Sequence, residues 1–159
     1  MKKKTAVEKI SESEKTALYS ISFEKDGTTE FEKFVEEFEQ NAKYNRDYQR
    51  IIAALQAILN LGALERIFRP EGKIKDSVAA IPIEGGKLRL YCLRISEQIV
   101  ILGNGGVKST RTYEEDSKLY GYVLDLQRFE KILNDNIAKG YVRIEERELN
   151  GIDDVVFEI

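Results

Sequence analysis

KLRLYCLRISEQIVILGNGGVKSTRTYEED, residues 87–116, is the stretch that decides the fold. Leu88, Leu90 and Cys92 alternate with Arg89, Tyr91 and Leu93, the two-residue period of a strand. Ser96-Glu97 turns the chain, and residues 98–102 form an apolar strand buried on both faces. The glycine-rich exit, residues 103–106, leads straight to Lys108 and Arg111. An arginine on the first strand and a Lys/Arg pair just past the second converge on one spot. Convergent cations on a rigid sheet suit a phosphate, so nucleic acid is the first ligand class to consider.

Working upstream, Gly85-Gly86 is a turn, and residues 78–83 (VAAIPI) read as a central strand. Tyr48, Ile51, Ile52, Leu55, Ile58 and Leu59 share one helical face, with Asp47 as its cap and Gly62 as its end. Phe31, Phe34, Val35 and Phe38 predict a shorter helix before it, opened by a Thr29/Glu32 capping box. Ala17, Tyr19, Ile21 and Phe23 alternate as a strand, and residues 1–15 read as a flexible tail. Downstream, Leu126, Phe129, Leu133 and Ile137 mark a helix over 119–138 that stops at Gly140. Residues 141–148 and 155–159 read as a hairpin around Asn150-Gly151. The expected fold is α+β: an antiparallel sheet with an N-terminal α-hairpin packed on one face, then a C-terminal hairpin. One domain spans 16–159, with the extension beginning at about 141.

Composition narrows the chemistry. The 159 residues are 42% hydrophobic, enough for a core, and a chain of this size buries roughly 70% of its unfolded surface. The net charge is −3, so any affinity for nucleic acid must come from a local patch. With no His and the single Cys92, Ser-His and Cys-His catalysis, an internal disulfide and a Cys/His zinc site are all excluded. No cofactor or metal is expected. GNGGVKST lacks the glycine before lysine that a P-loop requires, since Val107 stands there. Neither a secretory signal nor an apolar run of membrane-spanning length is present, so the expected location is the cytoplasm, with no membrane partner.

Several of these motifs together resemble the RelE/ParE/HigB toxin superfamily, in particular its HigB-like, phage-derived branch. They are Pro70-Glu71-Gly72-Lys73, the strand at 78–83, Arg89 in its strand, the apolar strand at 99–102, and Gly106-Val107-Lys108-Ser109-Thr110. The similarity spans about residues 16–135 in the order β-α-α-β-β-β-α. It implies the toxin of a bacterial type II toxin–antitoxin system, an endoribonuclease acting on mRNA at the ribosome and silenced by a cognate antitoxin. The alternative is a non-catalytic protein on the same scaffold, such as a topoisomerase inhibitor or a protein-binding regulator.

RNA cleavage without metal requires a base for the 2′-OH, charge stabilisation at phosphorus and a proton for the 5′-oxygen. The resemblance implies Arg89 at the scissile phosphate, Lys108 as proton donor or clamp, and Arg111 as a second clamp. Lys87, Lys73, Tyr91 and Tyr113 are the expected RNA-binding residues, with Tyr91 able either to stack a base or to pack internally. RelE carries lysines on the strand before the arginine strand, whereas VAAIPI has no ionisable group. The base therefore falls to Lys87, Lys108, Glu84 or Lys73.

Overall fold

The structure is a computed structural model that describes residues 2–23, 27–70, 77–81, 83, 85–109 and 116–159. Its strands are β1 (Lys4–Glu12), β2 (Ala17–Phe23), β3 (Arg69–Pro70), β4 (Val78–Ala80), β5 (Leu88–Ser96), β6 (Ile99–Val107), β7 (Arg143–Glu145), β8 (Glu148–Asn150) and β9 (Phe157–Glu158). The helices are α1 (Glu30–Phe38), α2 (Asn45–Leu61) and α3 (Ser117–Ala138). Seven strands form one sheet in the order β3-β4-β5-β6-β2-β1-β9. Its pairs are antiparallel except β2 with β6, which run parallel. The class is α+β, as the sequence predicts, but the sheet is mixed rather than antiparallel throughout as expected, because β2 runs parallel to β6.

Both faces of the sheet are covered. Leu88, Leu90 and Cys92 of β5 and Val100 and Leu102 of β6 pack with Phe34 and Phe38 of α1 and Tyr48, Ile51, Leu55 and Ile58 of α2. Tyr91 and Leu93, with Ile99 and Ile101, pack on the opposite side with Leu119, Val123, Leu126, Phe129 and Leu133 of α3. This is why β6 opens as an unbroken apolar run, because a strand buried on two faces has no solvent side. Each fully buried Leu, Ile or Phe contributes about 1.5–3 kcal/mol of transfer free energy, so these two clusters dominate stability.

Local signals fix the helix ends. The Thr29/Glu32 capping box forms as expected. Ser20 then anchors the start of α1 to the sheet: its hydroxyl donates to Leu102 O at 2.7 Å and accepts from Phe31 N at 3.2 Å. Asp116 caps α3, accepting from Lys118 N and Leu119 N at 3.0 and 3.1 Å.

Two expectations are corrected. The segment read as a flexible tail holds β1, which pairs with β2 from Thr5↔Phe23 to Glu12↔Ala17 and buries Thr5 and Val7. Its other residues keep their charges in solvent, which is why the sequence resembled a tail. Lys3 and Ile159 exchange backbone hydrogen bonds at 2.7 and 2.9 Å, extending the β1–β9 pairing. The C-terminal hairpin is also shorter than expected. It joins β7 to β8, with Glu146 at a φ of 54°. Asn150-Gly151 instead leads into a 3-10 turn at Ile152–Asp154, and Phe157 pairs with Thr5 of β1.

The β5–β6 register contains one extra residue on β6 and, between Arg94 and Ser96, one on β5. Leu90 faces Gly105, but Cys92 faces Leu102. At this bulge a Cβ on Gly105 would stand 1.8 Å from Arg89 O, so no larger residue fits. Gly105→Ala is therefore expected to destabilise the protein by about 2 kcal/mol or more. Gly121, inside α3 with open space around its Cα, provides the contrast: Gly121→Ala should stabilise by up to about 1 kcal/mol. Urea unfolding of the two variants checks both signs, and equal effects would contradict the bulge geometry.

Candidate nucleic-acid interface

The site is built by the β5–β6 ladder. Arg89 pairs with Gly106 and Leu88 with Val107, and one step beyond these Lys108 N donates to Lys87 O at 2.7 Å. Lys87 and Lys108 thus oppose each other, and Arg89 follows two residues after Lys87. By strand alternation all three share the parity of Tyr91 and Leu93, whose side chains join the α3-side core. The bulge at residues 103–104 separates the apolar half of the hairpin from this cationic end, a common place for a bulge to re-aim side chains. Lys87 is exposed, while Arg89 and Lys108 are half-buried.

Arg89 is oriented by its own turn. Its Nη1 donates to Gly86 O at 3.2 Å and Leu88 O at 3.0 Å. A guanidinium has five N–H donors, and these two hydrogen bonds use Nη1 alone, so the group keeps capacity for a phosphate.

Asp47, expected as the cap of α2, has a different task. The helix begins at Asn45, and the carboxylate of Asp47 reaches across to β5. Its Oδ2 accepts from Lys87 N at 2.8 Å and Leu88 N at 3.2 Å. The Lys87 N–H is the main influence holding its carboxyl below the ordinary range. Leu88 N–H, Arg50 and Arg89 add to this, and burial opposes it. On α3, Lys118 pairs with Glu37 of α1 at 3.4 Å. Glu30, almost buried, pairs with Lys33 at 2.7 Å. The role of Asp47 was not legible, because its partner Lys87 N lies 40 residues away in the chain.

The other expected residues divide cleanly. Tyr91 is fully buried within the α3-side core, so it packs and does not stack a base, which corrects its assignment to RNA binding. Arg94, at the far end of β5, donates its Nε to Ala63 O at 2.7 Å and points elsewhere, as its parity predicts. Lys73, Arg111, Tyr113 and Glu84 lie outside the described residues. Burial pushes the Cys92 thiol well above its ordinary range, so it is an inert core group. No helix among the described residues is long and apolar enough to cross a membrane.

A second polar cluster belongs to the C-terminal region. The Tyr19 hydroxyl donates to Arg147 O at 2.9 Å and accepts from Leu149 N at 3.3 Å, and Lys9 pairs with Glu148. Lys9, Tyr19, Glu148 and Leu149 help line a cavity of about 490 Å³ with residues 150–154. The arrangement explains how β7–β8 docks on β1 and β2.

Comparison of the chain with protein-family models, curated proteins and solved structures gives no match.

Because the folded state binds the Asp47 proton more weakly than the unfolded chain, the carboxylate adds stability above its unfolded pKa of about 3.9. That contribution fades as pH falls from there through the lower folded value. Asp47→Asn is expected to cost about 1 kcal/mol at pH 7, the scale of a partly exposed charge-assisted hydrogen bond. The gap to wild type should narrow below pH 4 in urea titrations, and a pH-independent gap would contradict this role.

Proposed function

We infer that this chain is a RelE/ParE/HigB-type toxin of the HigB-like branch. It acts in the bacterial cytoplasm as a metal-independent endoribonuclease on ribosome-associated mRNA, with a cognate antitoxin as its partner. The observation that carries this reading is the β5–β6 register, which brings Lys87, Arg89 and Lys108 to one end of a rigid sheet. The element order β2-α1-α2-β3-β4-β5-β6-α3 supports it, departing from the order the resemblance implies by the two-residue β3 and by β1 ahead of β2.

In this reading the 2′-oxygen attacks phosphorus as its proton is removed, charge grows on the non-bridging oxygens, and the 5′-oxygen departs with a proton. Arg89 grips the non-bridging oxygens through two donors at once. Lys108, as the ammonium, supplies the proton to the leaving oxygen. Among the described residues Lys87, in its neutral form, is then the candidate that takes the proton from the 2′-OH. Most of the rate enhancement comes from charge stabilisation by preorganised donors.

The second reading, a non-catalytic topoisomerase inhibitor or protein-binding regulator, is favoured by one observation. Val78, Ala79, Ala80 and Ile81 are all buried and apolar, so β4 offers no lysine to the site.

Inducible expression in a bacterial host separates the readings. Wild type is expected to arrest growth with fragmented mRNA. Arg89→Ala should lower cleavage by about 10²–10³-fold, the usual cost of one transition-state donor. Arrest with intact mRNA and DNA damage would favour topoisomerase inhibition, and growth without arrest would overturn both toxin readings.

A further inference from the structure

We propose that Asp47 is a positioning residue for the cation site, holding the turn at residues 86–88 from which Lys87 and Arg89 project. This deepens the RNA-directed reading above and rests on it.

The argument is geometric. The turn is held from two sides. Its N–H groups at Lys87 and Leu88 both donate to Asp47 Oδ2, at 2.8 and 3.2 Å. Its carbonyls at Gly86 and Leu88 both accept from Arg89 Nη1, at 3.2 and 3.0 Å. Lys87 O takes Lys108 N at 2.7 Å, which ties in the third cation. Asp47 therefore connects to all three cations through one short piece of backbone.

Gly86 completes the fit. It sits at a φ of +73°, and a Cβ there would stand 2.6 Å from Asp47 Oδ1. The carboxylate is seated directly against bare backbone, so turn and helix are matched to each other. Arg50, whose charge Asp47 also feels, belongs to the same α2 segment.

A carboxylate beside an anion site is otherwise unfavourable, because like charge repels a phosphate. Charge and positioning therefore predict opposite signs. If Asp47 acted only through its charge, removing it would tighten RNA binding. If it positions the cations, removing it loosens the turn and weakens binding despite the gain in net positive charge.

The test measures binding of a short fluorescein-labelled single-stranded RNA carrying 2′-O-methyl groups, which block cleavage. The proteins are wild type, Asp47→Asn, Asp47→Ala, Gly86→Ala and Arg89→Ala, across a range of salt. Asp47→Ala is expected to bind at least about fivefold more weakly, with Asp47→Asn between it and wild type because the amide oxygen still accepts from the turn. Gly86→Ala should weaken binding similarly without changing any charge. The salt slope should fall in magnitude by about 0.7 for each phosphate the variant no longer neutralises, which reduced overall stability would not produce in the folded fraction.

Asp47→Asn and Asp47→Ala binding as tightly as wild type, or tighter, while Arg89→Ala loses binding, would overturn the positioning role and leave the RNA reading standing. Wild type failing to bind the RNA would overturn the RNA reading and the positioning role with it.

Discussion

The register of β5 against β6 is the constraint on which the rest of the molecule depends. Side chains alternate across a strand, so one face of this hairpin meets α1 and α2 and the other meets α3. A slip of one residue would turn Arg89 toward the aromatic and aliphatic core under α1 and α2 and send Leu88 and Leu90 to the other side. Burying a guanidinium there without a partner would cost several kcal/mol. Pairing from Leu88↔Val107 to Ser96↔Ile99, with the bulge fixed by Gly105 against Arg89 O, resists that slip. Sheet stability and cation placement are thus the same property of one hairpin.

An acidic chain can hold a cationic patch where the adjoining carboxylate is engaged, and Asp47 accepts from two backbone N–H groups. Charges elsewhere are screened over about 8 Å at physiological salt, so the net charge of −3 says little about the field above Lys87, Arg89 and Lys108.

What could be read from the sequence follows the same logic. Strands β5 and β6 were legible because alternation and the apolar run each have one structural meaning. The backbone placement of Arg89 and Lys108 on neighbouring rungs of one ladder followed from hairpin geometry. The capping box of α1 was legible because Thr29 and Glu32 act locally. Strand β1 was not, since its solvent face carries lysines and glutamates and only Thr5 and Val7 turn inward. Asn150-Gly151 looked like a hairpin turn by local preference, but Phe157 gains more by packing edge to face on Phe129, with centroids 5.1 Å apart. Tyr91 shared the parity of Arg89, yet its place in the middle of β5 puts it under α3 and out of reach of a ligand. Asp47 was readable only as a local cap, because the amides it serves lie about forty residues downstream.

The central claim is that Arg89 and Lys108 act on one RNA phosphate. A double-mutant cycle on RNA affinity, with Arg89→Ala, Lys108→Ala and the pair, measures this directly. Shared action predicts a coupling of about 0.5 kcal/mol or more between the two substitutions. Losses that simply add would mean that the two cations serve separate places on the surface and would contradict the site described.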